Sequence, residues 1–449
     1  MKVDSKKIIK GDTFIALKGV NENGYDYILD AIKNGCSKLI CEKDKFNLDI
    51  KYVKDTRKYL EKYYSKKIKK LLKKVKLIGI TGTNGKTTSS FITYQLLNKL
   101  NIKCAYIGTV GFYIDKKIKD LKNTTPDIFD LYELFNISVL NNCKVIVMEV
   151  SSQAISYRRV SCLKFDIACF TNLTQDHLDF HKTMEEYKNT KIKLFKKLKN
   201  KKIAIINSDS DYYKEFINKK NHNILYGSNG QYKIKNIVLN NYESSFILEY
   251  KNKNYKINLP FTSKYNIYNY VISLIICNKF NFKIDEIINY NKYLLLPPGR
   301  FEQIKYKNNN IIIDYAHTPD GVLNVISSVK EFSKNKIITI IGCGGNRDKT
   351  KREKMGIISC ENSTKVIFTN DNPRFENEKS IMIDITKNLK YTNYEIIYDR
   401  SLAIKKGISL LDSNDVLLIL GKGHEEYQII KDKKIYFSDK YECEKYITD

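Results

Sequence analysis

The stretch KLIGITGTNGKTTSSFITYQLLNKL, residues 76–100, decides the fold class. Its first five residues are a short apolar run of the kind that forms a buried strand, and its last dozen regain the spacing of a helix. The turn between them, TGTNGKTT at 81–88, suits phosphate. Gly82 and Gly85 let backbone N–H groups converge on oxyanions with no Cβ in the way. Lys86 is placed to reach β- and γ-phosphates, and Thr87 offers the hydroxyl expected on Mg2+. Gly82, Thr83, Asn84, Gly85, Lys86, Thr87 and Thr88 are therefore the candidate nucleotide-phosphate residues. The strict phosphate-loop spacing wants glycine at position 80, where this chain has Ile80. Strand, glycine loop, Lys-Thr pair and helix nevertheless follow in the right order.

Outward from this stretch, short β-branched runs alternate with longer amphipathic ones, which is the α/β pattern. Residues 144–150, 166–172 and 202–209 read as further buried parallel strands. A second series follows at 310–316, 336–344, 365–371, 394–399 and 415–423. Between the two series, 232–259 alternates in a strand-like way and predicts an antiparallel excursion. A charged helix gives way to the first buried strand near residue 74, and Pro297-Pro298-Gly299 breaks the chain between the two series. Three units are expected: 1–74, 75–298 and 299–449.

Composition narrows the class further. At 449 residues with 42% hydrophobic content, the chain can bury several cores, and no apolar run approaches the ~20 residues of a membrane span. The opening MKVDSKKIIKGDTF lacks the apolar centre of a secretory signal, so a cytoplasmic protein is expected. The formal charge of +28 would by itself suggest a polyanionic partner. Its lysines, however, are scattered through every segment alongside abundant Asn, Ile and Tyr, which fits a codon bias and not a binding stripe. The ten cysteines form no CxxC pair and mostly sit in apolar runs, as buried free thiols in a reducing compartment do.

Further motifs follow in one order: NTTP at 123–126, MEVSSQAISYRRV at 148–160, FTNLTQDHLDFH at 170–181 and EEYKNTKIKLF at 185–195. After the second boundary come PPGRFE at 297–302, DYAHTPDG at 314–321, GCGGNRDKTKR at 342–352, DNPRF at 371–375 and GKGHEEYQ at 421–428. With GTNGKT, this series resembles the Mur ligase family along almost the whole chain. The resemblance implies a small N-terminal UDP-binding α/β domain, a central P-loop ATPase domain and a C-terminal Rossmann-like domain. It implies ATP and Mg2+, with Glu149, His177 and Thr87 as metal ligands and Lys191 joining them once carbamylated. Lys86, Lys191 and His177 become the catalytic candidates. Asn269, Arg300, Asp314 and His317 become further ATP contacts. The implied chemistry has two steps: a substrate carboxylate takes the γ-phosphoryl group as an acyl phosphate, and an amine then displaces phosphate.

The segment at 3–44 resembles the UDP-sugar-binding domain of the muramoyl-dipeptide ligases, with Ser5 matching the uracil contact. Thr124, Thr125, Ser151, Tyr157 and Arg159 fall where the muramoyl-peptide portion is held. The chain departs from the family pattern at Lys6, where Arg is usual, and at Tyr157, where Gln is common. Amino-acid choice turns on DNPR, because a guanidinium can grip a carboxylate bidentately. Diaminopimelate differs from lysine by one distal carboxylate, so Arg374 is the residue type that distinction needs. Arg347, Asp371, Asn372, Pro373, Gly421 and Glu425 complete that pocket, Glu425 being suited to an ammonium group. The expectation is a ligase adding meso-diaminopimelate to UDP-MurNAc-L-Ala-D-Glu in peptidoglycan precursor synthesis. It would act as a monomer, without nucleic acid or membrane. A lysine-adding relative, a folylpolyglutamate-synthase-like ligase and a basic nucleic-acid-binding ATPase are the alternatives.

Overall fold

The computed structural model describes residues 1–17, 23–43 and 46–448, so positions 18–22 and 44 of the N-terminal segment lie outside the described residues. Strands Thr13–Ile15, Lys38–Cys41 and Asp49–Tyr52 form a small parallel sheet in that order. Helix Thr56–Leu71 starts where Asp55 accepts a hydrogen bond from the Lys58 amide at 2.8 Å. It buries Thr56, Leu60, Tyr64 and Ile68, a four-residue spacing that leaves its lysines in water. That stripe shares a core with Leu131, Leu134 and Phe135 of the central unit. Arg57 pairs with Asp127 across the same seam, and Arg158 Nε donates to Glu61 at 3.2 Å.

The central sheet has eleven strands, and Lys76–Thr81 lies inside it. Val145–Glu149 pairs with it on one side and Phe165–Phe170 on the other, both parallel. Strand order reverses there, so the carboxyl end of Lys76–Thr81 opens at a topological switch point, where open α/β sheets bind ligands. Its residues are buried on both faces, which is why they read as an unbroken apolar run. The helix that follows, Lys86–Lys99, is sandwiched between the sheet and helix Lys264–Lys279. Thr93 Oγ1 and Ser273 Oγ meet at 3.0 Å across that contact. The expected antiparallel excursion is present as Tyr232–Leu239, Ser244–Tyr250 and Lys253–Leu259 at one edge. An antiparallel pair, Gly111–Ile114 and Lys116–Lys119, forms the other edge.

The third sheet runs Glu302–Tyr306, Asn309–Asp314, Val416–Leu420, Ile337–Ile341, Lys365–Phe368, Tyr394–Ile396. Only the first strand is antiparallel to its neighbour. Beneath it, Arg400 and Asp439 form a fully buried ion pair at 2.7 Å, and Arg400 Nη2 also donates to the Leu420 carbonyl at 3.0 Å. A hairpin, Tyr427–Ile430 with Lys433–Tyr436, lies apart from the sheet. The Pro-Pro-Gly link into this unit needs its glycine: φ at Gly299 is +64°, and a Cβ there would stand 2.0 Å from the His424 amide nitrogen. Nine of the ten cysteines are buried, and Cys162 is half-buried. No described helix is long and apolar enough to cross a membrane.

Candidate functional site

The loop at 82–85 is folded so tightly against its neighbours that no side chain fits at its glycines. A Cβ on Gly82 would lie 1.8 Å from Thr171 Oγ1, and one on Gly85 would lie 2.3 Å from Asn269 Oδ1. Thr171 Oγ1 donates to the Asn84 carbonyl at 2.6 Å, and Asn172 Oδ1 accepts from the Asn84 amide at 2.9 Å. Thr83 turns its hydroxyl inward, 3.2 Å from the Tyr187 hydroxyl. Gly85 caps helix Lys86–Lys99, whose first amides therefore open onto the loop. Thr88 is buried on that first turn. Asn269, expected from far along the chain, is thus in contact with the phosphate loop.

Lys86 is half-buried and folds over the loop, donating to the Gly82 and Thr83 carbonyls at 3.0 and 2.7 Å. Desolvation lowers its pKa, and the nearby carboxylates of Glu149 and Asp176 oppose that shift. Thr87 Oγ1 donates to Glu149 Oε2 at 2.9 Å. Glu149 is fully buried at the end of its strand, and its other oxygen accepts from the Tyr106 hydroxyl and the Thr109 amide at 2.7 and 2.8 Å. A hydroxyl and a carboxylate held this close are hard oxygen donors of the sort Mg2+ takes when phosphates and waters complete its shell. No group of three or more His, Cys, Asp and Glu converges among the described residues.

Lys191 is 1% exposed on helix Met184–Phe195. Its Nζ donates to the Gly82 carbonyl at 2.7 Å and lies 4.3 Å from the centre of the Tyr187 ring. Burial, and then the charge of Lys86, hold its pKa well below the ordinary lysine value. The deprotonated amine is the form that adds CO2. Folding therefore favours the deprotonated amine, and this group's contribution to stability rises with pH between its lowered value and that of free lysine. Lys191→Met is expected to retain the fold and to lose about 100-fold in turnover. Labelled bicarbonate should give a carbamate signal in the parent protein that the variant lacks. Equal signals in both would rule out Lys191 as the acceptor.

His177 takes a left-handed φ of +53°, with Nε2 3.4 Å from Asp176 Oδ2. Thr124 and Thr109 hydroxyls meet at 3.1 Å, and Thr125 Oγ1 donates to the Glu149 carbonyl at 2.9 Å. The Ser151 amide donates to Thr125 Oγ1 at 3.0 Å, and Arg159 Nη1 donates to the Thr125 carbonyl at 3.0 Å. The Arg159 guanidinium lies 5.7 Å from the Tyr157 ring. These five residues form one patch beside Glu149. Ser5 stands apart from it, buried in the N-terminal unit with its carbonyl held by Asn34 Nδ2 at 3.0 Å.

From the third unit, Arg300 places its guanidinium 4.8 Å from the Tyr315 ring and leaves a buried Nε without a hydrogen-bond acceptor among the described residues. Its charge reaches both Lys86 and Asp314. A buried donor left open at this junction fits an anionic ligand. Both Asp314 oxygens are engaged by backbone, from Phe301 at 2.7 Å and Ala316 at 2.8 Å. His317 Nδ1 is bound to the Tyr315 carbonyl at 2.8 Å, while Lys351 Nζ donates to the His317 carbonyl at 2.7 Å.

The Gly421 amide donates to the Asp314 carbonyl at 3.1 Å, which ties this strand end to a second pocket. There Asn372 Nδ2 donates to Glu425 Oε2 at 2.9 Å, and Asn372 Oδ1 accepts from the Ile429 amide at 2.9 Å. Asp371 lies against Gly421, where a Cβ would be 2.8 Å from its Oδ2. Arg374 has φ of +53° and is pinned by bonds to Ile429 and Lys431 backbone at 2.9 and 2.7 Å. Its Nη1 donates to the Gly345 carbonyl at 2.8 Å. Pro373 packs its carbonyl on Gly345, and Arg347 is exposed at the rim. Arg352, fully buried, grips Glu376 with two bonds at 2.9 and 2.7 Å and the Gly344 carbonyl at 3.1 Å, so the two loops of the pocket are clamped together.

Residues 80–277 match the Mur ligase middle domain, and residues 299–423 match the Mur ligase, glutamate ligase domain. The chain is 40% identical to the UDP-N-acetylmuramoyl-L-alanyl-D-glutamate--2,6-diaminopimelate ligase of Clostridium perfringens, over 98% of this chain and 93% of the relative. It belongs to the Mur ligase family. The Fusobacterium nucleatum enzyme of the same name is 39% identical over 97% of this chain and 91% of its own. A solved structure of an enzyme with that name gives a TM-score of 0.70 at 27% identity, covering 100% of this Mur ligase and 94% of that chain. The MurF ligase from Thermotoga maritima in complex with ADP shares the fold, with a TM-score of 0.68 at 21% identity over 94% and 93% of the two chains. Sequence reasoning passed over several residues of this Mur ligase that the fold brings in: Tyr106 and Thr109 at Glu149, Tyr187 beneath Lys191, Arg352 and Glu376, and Lys422. Only Lys422 carried a local hint, a lysine between two glycines whose φ angles are +112° and +52°.

Proposed function

We propose that this Mur ligase uses ATP to join meso-diaminopimelate to the D-glutamate carboxylate of UDP-MurNAc-L-Ala-D-Glu, in cytoplasmic peptidoglycan precursor synthesis. The observation that carries the reading is Arg374, whose pinned guanidinium stands in one pocket with Glu425 and Asn372 and bonds only through Nη1 among the described residues. Carboxylate and ammonium of one amino-acid end suit that pair of charges.

In this reading the loop 82–88 with Lys86 cradles the phosphates, while Asn269, Arg300, Asp314 and His317 complete the nucleotide site. Lys86 offsets charge as the acceptor carboxylate approaches the γ-phosphate and an acyl phosphate forms. The chemistry Mg2+ supplies when bound, through Thr87, Glu149, His177 and carbamylated Lys191, is neutralisation between two anions. Thr124, Thr125, Ser151, Tyr157 and Arg159 would hold the muramoyl-peptide and Ser5 the uracil. Arg347, Asp371, Asn372, Pro373, Arg374, Gly421 and Glu425 would hold diaminopimelate, whose amine displaces phosphate. The working units are 1–74 for the UDP end, 75–298 for ATP and 299–449 for the amino acid, acting as a monomer without nucleic acid.

Phosphate release measured with ATP, Mg2+, the UDP-linked dipeptide and meso-diaminopimelate tests this. All four components should be required. Release that ignores the amino acid, or a preference for lysine over diaminopimelate, would overturn the assignment.

A further inference from the structure

Lys422 is fully enclosed, with a side-chain exposure of 0%, yet it lies directly behind the amino-acid pocket. Its Nζ donates to Asn372 Oδ1 at 3.2 Å and stands 3.5 Å from Glu425 Oε2. The left-handed glycines on either side turn the backbone so sharply that the side chain points inward. Two acids of the pocket, Asp371 and Glu425, are mostly buried, and both act on the Lys422 charge. Among the described residues Glu425 has its ion pair with Lys422, from behind, while Arg374 stands at the half-buried front. Asp371 also feels Lys351 and Arg400, the latter already paired with Asp439. Burial and then the Glu425 charge raise the Tyr427 pKa while the Arg374 charge lowers it, so both charges act on one hydroxyl. In the structure Arg374 is not drawn into that acid; its bonds go to the Gly345 and Asn372 carbonyls.

We propose that Lys422 is a positioning residue for substrate selection: it neutralises Glu425 and Asp371 from within, which leaves the Arg374 guanidinium free for the distal carboxylate of the incoming amino acid. The proposal rests on the diaminopimelate reading above. Without the internal cation, Glu425 would lose its ion-pair partner and recruit the nearest guanidinium, because an unpaired buried charge costs more than a rearranged side chain. Arg374 would then be occupied, and the pocket would lose its preference for a substrate that carries the extra carboxylate. The Asn372 amide would stay oriented, since Oδ1 keeps the Ile429 amide at 2.9 Å. Charge, not hydrogen bonding, is therefore the decisive property.

The test compares kcat/KM for diaminopimelate and for lysine in the full-length parent, Lys422→Met and Lys422→Gln. Both variants should cut the diaminopimelate-to-lysine ratio about tenfold or more, through KM for diaminopimelate, with the KM for ATP unchanged. A general structural defect would lower both amino acids equally and keep the ratio, and that result defeats the proposal. So does a ratio preserved in Lys422→Gln alone, which would assign the effect to the hydrogen bond. Should Lys422→Met fail to accumulate as folded protein, the polar Gln variant decides the question by itself. A parent enzyme showing no diaminopimelate-dependent phosphate release would instead remove the underlying ligase reading.

Discussion

Lys86→Ala is expected to lower ATP-dependent phosphate release by about 100- to 1,000-fold while leaving thermal stability nearly unchanged. The two halves of that expectation have separate causes. For stability, Lys86 donates only to the loop's own Gly82 and Thr83 carbonyls. Gly82 keeps a second donor in Lys191 Nζ at 2.7 Å, so truncation leaves at most one acceptor short, a net cost of about 1 kcal/mol. For activity, the loss is of another order. Two anions must meet beside the loop, and the Lys86 ammonium is the charge that lies over it. In a site where Glu149 is fully buried, its removal leaves the carboxylate and phosphate charges facing each other. Parallel melting curves and phosphate-release rates check both halves. A variant that melts normally and turns over within tenfold of the parent would remove Lys86 from the chemistry.

Arg374→Ala should lower kcat/KM for diaminopimelate by about 100- to 1,000-fold, with lysine turnover little affected. Hydrogen bonds to a charged carboxylate contribute about 1.5–3 kcal/mol each, so two of them at the lower end, about 3 kcal/mol, already account for a loss above 100-fold. The backbone argues that the guanidinium is held in place for a purpose. A left-handed φ is uncommon for a residue with a Cβ, and here it is imposed by the bridge to Ile430 and the bonds to Ile429 and Lys431. The backbone of the arginine is thereby fixed before any ligand arrives, and that part of the ordering entropy does not oppose binding. Competition between the two amino acids reads this directly. A loss below tenfold for diaminopimelate, or an equal loss for lysine, would place selectivity elsewhere.

The parts of the fold that could be read in the sequence are those whose burial is continuous. Strands such as Lys76–Thr81, Val145–Glu149 and Val416–Leu420 are covered on both faces and spell unbroken apolar runs. Edge strands hide because they bury little: Lys116–Lys119 and Lys433–Tyr436 are exposed at every position. The site divides in the same way. Phosphate binding is a local property of a loop and a helix start, so TGTNGKTT declares itself. The supports of Glu149 do not, because Tyr106 and Thr109 reach it only through the pairing of strand Cys104–Gly108 with Val145–Glu149. Lys191 stood out by the family motif and not by its type. Lys422 carried only the hint of its two flanking glycines among 78 lysines and arginines, since burial of one lysine is decided by tertiary structure and leaves no trace in composition.

The close fit at Gly299 has a geometric consequence. The Pro-Pro-Gly pivot touches the chain at Gly423 and His424, so the loop that carries Gly421 and Glu425 sits almost on the axis about which the third unit could turn. Points near an axis sweep short arcs. Rotation there would carry the far edge strand Tyr394–Ile396 through a wide swing while the amino-acid loop kept nearly the same distance from the phosphate loop. In any such turn the proposed amino-acid pocket would sit at the fulcrum, where the lever arm is least and registration against the acyl donor is easiest to keep.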